Sequence, residues 1–139
     1  MAVTNGYFIG AVMMSHAIND GIIKFVAERN VIERHNSNGT TKSLEELVSE
    51  FIEKKFISTA CAEASMTIWK SFRADIHHMN PTVAKLDFQK LAQQNLKCLS
   101  FIEKEIFDFK FNNGAIVPTH PQYWDIKPEG TTTAFLRLQ

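Results

Sequence analysis

Apolar residues recur every three or four positions over four stretches of the chain, which predicts four amphipathic helices. The first covers residues 6–29 and is apolar on more than one side. Such a helix needs two partners, so we expect one side to pack within its own domain and another to contact a second copy of the chain. The residues of its main stripe are Phe8, Ala11, Val12, Ser15, Ile18, Ile22, Phe25 and Val26.

A polar, turn-rich loop over residues 33–42 separates the first predicted helix from the second. Ser43 followed by Glu46 is a capping box, in which the serine hydroxyl accepts from a backbone N–H of the first turn. The apolar spacing continues to about residue 55. The second helix is therefore predicted to begin directly after Ser43.

Two further helices follow. The third should begin at Ser58 or Thr59 and end near residue 79, because Pro81 disfavours the helical conformation at the residue before it. The fourth is predicted over residues 87–109, with Asn95 inside its otherwise apolar stripe.

After residue 110 the pattern changes, and prolines keep much of the chain extended or irregular. The Asn-Asn-Gly sequence at residues 112–114 predicts a turn, with residues 115–117 pairing back on residues 109–111 as a short hairpin. Four large apolar residues should anchor this tail to the helices: Tyr123, Trp124, Phe135 and Leu138.

Short loops between four helices favour an all-α fold, an antiparallel up-and-down four-helix bundle, followed by an irregular C-terminal tail with a short β-hairpin. The predicted division is a helical bundle over residues 1–110 and a tail over residues 111–139 packed on it. The chain of 139 residues has room for one such core.

Fifteen basic residues balance fifteen acidic ones, so the chain lacks the broad positive field of nonspecific nucleic-acid binders. A local basic site and a transient encounter with RNA remain compatible with this balance. Cys61 and Cys98 fit neither a disulfide framework nor a zinc spacing, which indicates free thiols in a reducing compartment. The apolar run at residues 7–18 is too short for a membrane span and lacks the features of a signal peptide. We therefore expect a cytoplasmic protein without membrane contact.

Several polar and ionisable residues lie close together at the end of the third predicted helix. The sequence Arg-Ala-Asp-Ile-His-His-Met-Asn-Pro at residues 73–81 supplies Arg73 and His78 as candidate catalytic residues, with Asp75, His77 and Asn80 in support. An imidazole exchanges protons near neutral pH, and a guanidinium suits a phosphate or a developing phosphorane. Together they can cleave RNA without a metal, although charged groups at a helix C-terminus also occur for the helix dipole alone.

Helix geometry places a condition on this pair. At about 100° per residue, Arg73, His77 and Asn80 lie within a stripe of ~60°, whereas His78 lies about 140° from Arg73. In an unbroken helix Arg73 and His78 therefore cannot serve one site within one subunit. Either the turn before Pro81 unwinds, or the same residues of a second chain complete the site.

The segment at residues 73–81 resembles the Arg-x4–6-His signature of the HEPN superfamily, the higher eukaryote and prokaryote nucleotide-binding domains. Its place late in a helix, with one more long helix after it, agrees with that family, and the resemblance covers residues 6–109. It implies a homodimeric, metal-independent endoribonuclease without a cofactor, in which Arg73 stabilises the phosphate and His78 transfers protons. Many such proteins are toxins of toxin–antitoxin pairs or antiviral defence effectors, so RNA and an antitoxin or other partner protein are the implied partners.

Ala74 departs from the family pattern, in which Asn, Asp or His often follows the arginine. Noncatalytic HEPN domains exist, so the alternative function is a helical module that binds a partner protein or a nucleotide. His16 and Asp20, one turn apart on the first helix, are candidate partners that orient the Arg–His site. A metal-dependent hydrolase that uses His16, Asp20 and His77 or His78 is a distant third reading, since no third ligand stands at a recognisable spacing.

Overall fold

The computed structural model describes residues 2–71 and 87–125, with side chains from residue 7 onward. Four helices lie in this part of the chain: α1 (Ala2–Arg29), α2 (Leu44–Glu53), α3 (Thr59–Ser71) and α4 (Phe88–Ile106). Two strands follow, β1 (Phe109–Asn112) and β2 (Ala115–Pro118), and then a short 3₁₀ turn at Pro121–Tyr123. The prediction of a mostly helical chain with a C-terminal hairpin is thereby confirmed.

Side-chain caps fix where three of the helices begin. The Ser43 hydroxyl oxygen accepts from the backbone N–H of Glu46 at 3.2 Å, which starts α2 where the capping box predicts. The Ser58 hydroxyl accepts from Cys61 N at 3.1 Å, and Asp87 Oδ1 accepts from Lys90 N at 3.1 Å. Each cap satisfies a backbone donor that the first helical turn leaves without a partner.

The hairpin ends α4 earlier than predicted. The prediction that this helix reaches residue 109 is wrong, because α4 ends at Ile106 and Phe109 pairs with Pro118 in an antiparallel ladder. Asn113 and Gly114 close the hairpin with φ of 51° and 78°. Two successive positive φ values are typical of the tight turns that match the twist of paired strands.

Contacts between α1 and α4 show that these two helices run parallel. Asn95 Nδ2 donates to Ser15 Oγ at 3.1 Å, and further along both helices the rings of Phe25 and Phe107 lie 6.0 Å apart. Residue numbers thus rise together along the two helices. In an up-and-down bundle of four, the first and last helices run antiparallel, so this pair departs from the predicted order.

α3 runs antiparallel to both of these helices. Ser71 at its C-terminal end accepts from Asn95 Nδ2 at 2.7 Å, whereas Ser58 before its N-terminus donates its backbone N–H to Glu105 at 3.0 Å. α2 has only 10 residues against 28 in α1. α3 begins near the C-terminal end of α1, since Ser58 contacts Glu105 and the nearby Phe107 packs against Phe25. The chain between α1 and α3 therefore makes a short excursion at one end instead of a full return pass.

The apolar interior falls into two clusters. The larger one packs α1, α2, α3 and α4 around the fully buried Phe51, Ile68 and Ile102. The smaller one contains Val12, Phe88 and Ala92, near the N-terminal ends of α1 and α4. Burial of these side chains supplies the main driving force for the fold.

The chain after the hairpin is attached to α1. Tyr123 is buried in the larger cluster, and its hydroxyl oxygen accepts from Asn30 Nδ2 at 2.8 Å. Asp125 pairs with Arg29 at 3.1 Å, and the Trp124 ring packs edge-on against Phe109. Tyr123 and Trp124 thus act as the predicted anchors. The other two predicted anchors, Phe135 and Leu138, lie outside the described residues.

Candidate functional site

The residues predicted to carry chemistry lie between α3 and α4. Arg73, Asp75, His77, His78 and Asn80 all lie within residues 72–86, which are outside the described part of the chain. The structure does describe the residues that flank this segment. The site can therefore be built from the elements around it.

A layer of buried polar side chains separates the two apolar clusters. We call it the polar layer; its members are Ser15, Asn19, Ser65, Ser71 and Asn95. It joins α1, α3 and α4, and Ser71 is the last residue described before the candidate segment. Polar groups taken out of water are costly unless they find hydrogen-bond partners, so each contact in this layer matters.

One half of the polar layer is a reciprocal pair. Asn19 Nδ2 donates to the backbone carbonyl of Ser65 at 3.1 Å, and the Ser65 hydroxyl donates to Asn19 Oδ1 at 2.8 Å. Both ends of the Asn19 amide therefore have a partner on α3.

The other half is centred on Asn95. Its Nδ2 donates both to Ser15 Oγ and to Ser71 Oγ. The Ser15 hydroxyl itself donates to Val12 O at 2.8 Å, and the Ser71 hydroxyl donates to Ile68 O at 2.5 Å. Because each hydroxyl has one hydrogen, both oxygens can only accept from Asn95, and this fixes the orientation of its amide.

The carbonyl oxygen of the Asn95 side chain, by contrast, lacks a hydrogen-bond partner in this layer. Asn95 is 0% exposed, and its Oδ1 has no hydrogen-bond donor among the described residues. A buried acceptor without a partner typically costs about 1–3 kcal/mol. The interior thus contains an acceptor without a donor among the described residues, beside Ser71 at the described end of α3.

His16 and Asp20, the predicted orienting partners, lie on α1 next to the polar layer. Burial lowers the pKa of His16, and the negative charge of Asp20 acts in the opposite direction. Asp20 forms an ion pair with Lys24 at 2.8 Å. His16 is therefore mainly neutral at neutral pH, and the prediction that it supports the Arg–His site stays a prediction.

The described residues show little sign of other site chemistry. No group of three His, Cys, Asp or Glu side chains among them is placed to hold a metal ion. Burial, with the nearby Glu105, raises the pKa of Cys61 to about 12, and burial also raises the pKa of Cys98. Both thiols are thus protonated at neutral pH and are poor nucleophiles.

Ser58 and Glu105 lie with His120 around a surface cavity of about 400 Å³. The Ser58 hydroxyl donates to Glu105, and its oxygen accepts the backbone N–H of Cys61. Ser58 therefore serves as the cap of α3.

Between residues 7 and 21, α1 has an exposed apolar side opposite its buried one. Tyr7, Met14 and Ile18 are 73%, 65% and 40% exposed. We call this the α1 outer face; its smaller exposed members are Gly10, Ala17 and Gly21. Residues 7–19 include no Asp, Glu, Lys or Arg. No helix in the described part of the chain is long and apolar enough to cross a membrane.

Comparison with known proteins adds no family to this picture. No protein-family model matches the chain, and no curated protein or solved structure matches it significantly. The proposals below therefore depend on the residues themselves.

The hydrophobic pattern of the sequence did not predict that these five polar residues form a buried layer. Ser15 and Asn95 fall inside the predicted apolar stripes, whereas Asn19, Ser65 and Ser71 received no role. The available signal was a polar residue at a helical spacing otherwise filled by apolar ones. Helix direction decides which of these residues contact one another across helices. A hydrophobic stripe in the sequence does not give that direction.

Proposed function

We propose that this chain is a metal-independent endoribonuclease of the HEPN type that acts on single-stranded RNA as a homodimer. Arg73 and His78 are its catalytic residues, with Asp75, His77 and Asn80 in support. The observation that carries the proposal is the buried polar layer, because it includes Ser71, the last described residue before this segment.

The polar layer provides a rigid set of hydrogen-bonding groups at the end of α3 that precedes the segment in the sequence. Asn95 donates to both Ser15 and Ser71, and Arg73 follows Ser71 by two residues in the sequence. Active sites need side chains held close to a productive geometry, and hydrogen bonds from a rigid interior provide this. The polar layer thus supports a site at this end of α3.

The α1 outer face supports a second subunit at the same end of the molecule. Ser15, on the buried side of α1, contacts Asn95, and Met14 and Ile18 lie at the same level on the outer side. Exposed apolar patches commonly mark interaction surfaces. Two copies joined through this face are one of the two ways in which Arg73 and His78 could serve a common site; unwinding of the turn before Pro81 is the other.

The proposed reaction needs one proton acceptor, one proton donor and one cation. A neutral imidazole of His78 takes the proton of the RNA 2′-hydroxyl, and the 2′-oxygen attacks the adjacent phosphorus. The bond from phosphorus to the 5′-oxygen then breaks, and the protonated imidazole of His78 returns a proton to that oxygen, so that the histidine is neutral again at the end of the reaction. Arg73 stabilises the negative charge on the phosphorane. The products are a 2′,3′-cyclic phosphate and a 5′-hydroxyl end.

Alanine substitutions test this assignment. Arg73→Ala and His78→Ala should each lower the cleavage of a labelled single-stranded RNA in EDTA by about 100-fold or more, since each removes a catalytic group. His35→Ala is the matched control, because His35 lies in the exposed loop after α1. Wild-type activity retained by a folded His78→Ala variant would contradict the proposal.

The α1 outer face also favours a second function, a noncatalytic module that binds a partner protein. The neutral net charge agrees with this alternative. Under it, His78→Ala leaves the cellular phenotype unchanged, whereas Ile18→Lys abolishes it by disrupting the complex. Under the first proposal, the chain is a cytoplasmic toxin or defence component, and a partner protein such as an antitoxin restrains it.

A further inference from the structure

We infer that the solvent side of α4 binds the backbone of single-stranded RNA, with three lysines beside the phosphates and Phe101 stacked on a base. We call this surface the α4 basic stripe; its members are Lys90, Lys97, Phe101 and Lys104. The choice of RNA over DNA rests on the proposed function. Binding itself can be tested without any cleavage.

The spacing of the lysines places them in one line along α4. They are seven residues apart, and positions seven apart in a helix differ in direction by only about 20°. From Lys90 to Lys104 the line is about 21 Å long, since each helical residue adds about 1.5 Å. All three lysines are exposed, and the buried side of α4, with Asn95 and Ile102, lies opposite them. The line is therefore open to a long, extended partner.

The charges of these lysines are not compensated within the described part of the chain. None of the three forms an ion pair with a described residue. The basic residues that do hold a described carboxylate lie outside α4: Lys24, Arg29, Lys42 and Lys54. The two acidic residues of α4, Glu103 and Glu105, lie about 100° to either side of Lys104, and Glu105 is bonded to Ser58. The stripe thus offers a row of positive charge that complements a phosphate backbone.

Phe101 distinguishes the stripe from a merely basic surface. Its side chain is 46% exposed, and it follows Lys97 by four residues and precedes Lys104 by three. Residues at these spacings are neighbours on the surface of a helix. Aromatic side chains in a cationic track are the usual platform for the bases of single-stranded nucleic acids. An acidic peptide would be attracted by the lysines but would not need the ring, so single-stranded RNA is the favoured partner.

A labelled 2′-O-methyl RNA of about 12 nucleotides is a suitable probe, because it has no free 2′-hydroxyl for cleavage. In fluorescence anisotropy, the logarithm of the association constant should fall against the logarithm of salt concentration with a slope of about −2, as expected for three neutralised phosphates. The stripe variant, with Lys90→Gln, Lys97→Gln and Lys104→Gln together, should bind at least about tenfold more weakly at low salt and show a slope near zero.

Matched variants separate the stripe from net charge and from general apolar contact. Lys24→Gln, Lys54→Gln and Lys55→Gln together remove the same net charge from α1 and the end of α2, and this variant should bind like wild type. Phe101→Ala should weaken binding about fivefold or more without changing the salt slope, because a stacking contact is lost. Leu96→Ala, at another exposed apolar position of α4, should leave the affinity unchanged.

Failure of the wild type to bind this RNA at low salt would overturn the inference, as would a stripe variant with wild-type affinity and salt slope. Equally tight binding of an oligoglutamate of the same charge, unaffected by Phe101→Ala, would show an acidic protein as the partner instead. If the wild type binds the probe but leaves unmodified RNA intact, the proposed function fails and the binding surface stands. If it cleaves RNA and the stripe variant keeps the wild-type KM, the surface fails and the proposed function stands.

Discussion

At the scale of single residues, the balance between burial and nearby hydrogen bonds and charges decides the direction in which a pKa shifts. The pKa of His16 is lowered because its charged form loses hydration, and Asp20 offsets this only in part. Glu50 shows the opposite balance: hydrogen bonds from Lys54 and Lys42 lower its pKa. Burial therefore favours the neutral form of His16, and the lysine hydrogen bonds favour the charged form of Glu50.

The lowered pKa of His16 makes stability depend on pH. Below about 6.5, the ordinary histidine value, the unfolded chain takes up a proton before folded His16 does, so the wild type loses stability as the pH falls through this range. His16→Gln removes this titration. Urea unfolding at pH 7.5 and pH 5 should therefore show a smaller loss for the variant than for wild type. An equal loss in both proteins would contradict the account.

At the scale of elements, capping residues and the hairpin turn explain most of the boundaries. Ser43, Ser58 and Asp87 each accept from a backbone N–H three residues later. Such short-range signals can be read from sequence because they depend on neighbouring residues only. The hairpin turn at residues 112–114 was predictable for the same reason.

Ser43 offers a direct test of this capping argument. Ser43→Ala should lower the free energy of unfolding by about 1 kcal/mol, since the first turn of α2 loses its side-chain acceptor. Ser49→Ala is the matched control: Ser49 lies exposed within the same helix and should cost nothing. Chemical denaturation measures both. An equal loss for the two variants would mean that Ser43 does not act as a cap.

Helix direction and the polar layer were harder to predict than helix boundaries. A hydrophobic stripe shows which side of a helix is buried but not which neighbour covers it. α1 and α4 proved to be parallel because the short α2 does not return the chain along the full length of α1. Asn95 was predictable as a buried residue, whereas its unpaired oxygen depends on contacts with Ser15 and Ser71 that only the fold brings together.

At the scale of the whole molecule, α1 links the interior to the proposed subunit contact. Its buried side holds Ser15 and Asn19, and its outer face exposes Tyr7, Met14 and Ile18. A helix with two apolar sides fits a chain that packs both internally and against a second copy. The proposed dimer contact and the polar layer therefore involve opposite sides of one helix.

A charge on the α1 outer face should separate the subunits. Ile18→Lys would place an ammonium group in an apolar contact, which is costly to bury. Ile52→Lys is the matched control, since Ile52 on α2 is 38% exposed and Ile18 is 40% exposed. Analytical ultracentrifugation should find wild type and Ile52→Lys as dimers and Ile18→Lys as a monomer. Dimers of all three proteins would exclude this face as the interface.

The central claim is cleavage of RNA through its own 2′-hydroxyl without a metal, and the most direct measurement is the identity of the product ends. Wild-type protein incubated with a single-stranded RNA in EDTA should leave 2′,3′-cyclic phosphate and 5′-hydroxyl ends, and RNA with 2′-deoxyribose at the cleaved position should stay intact. Intact RNA under these conditions, or products with 5′-phosphate ends, would contradict the account.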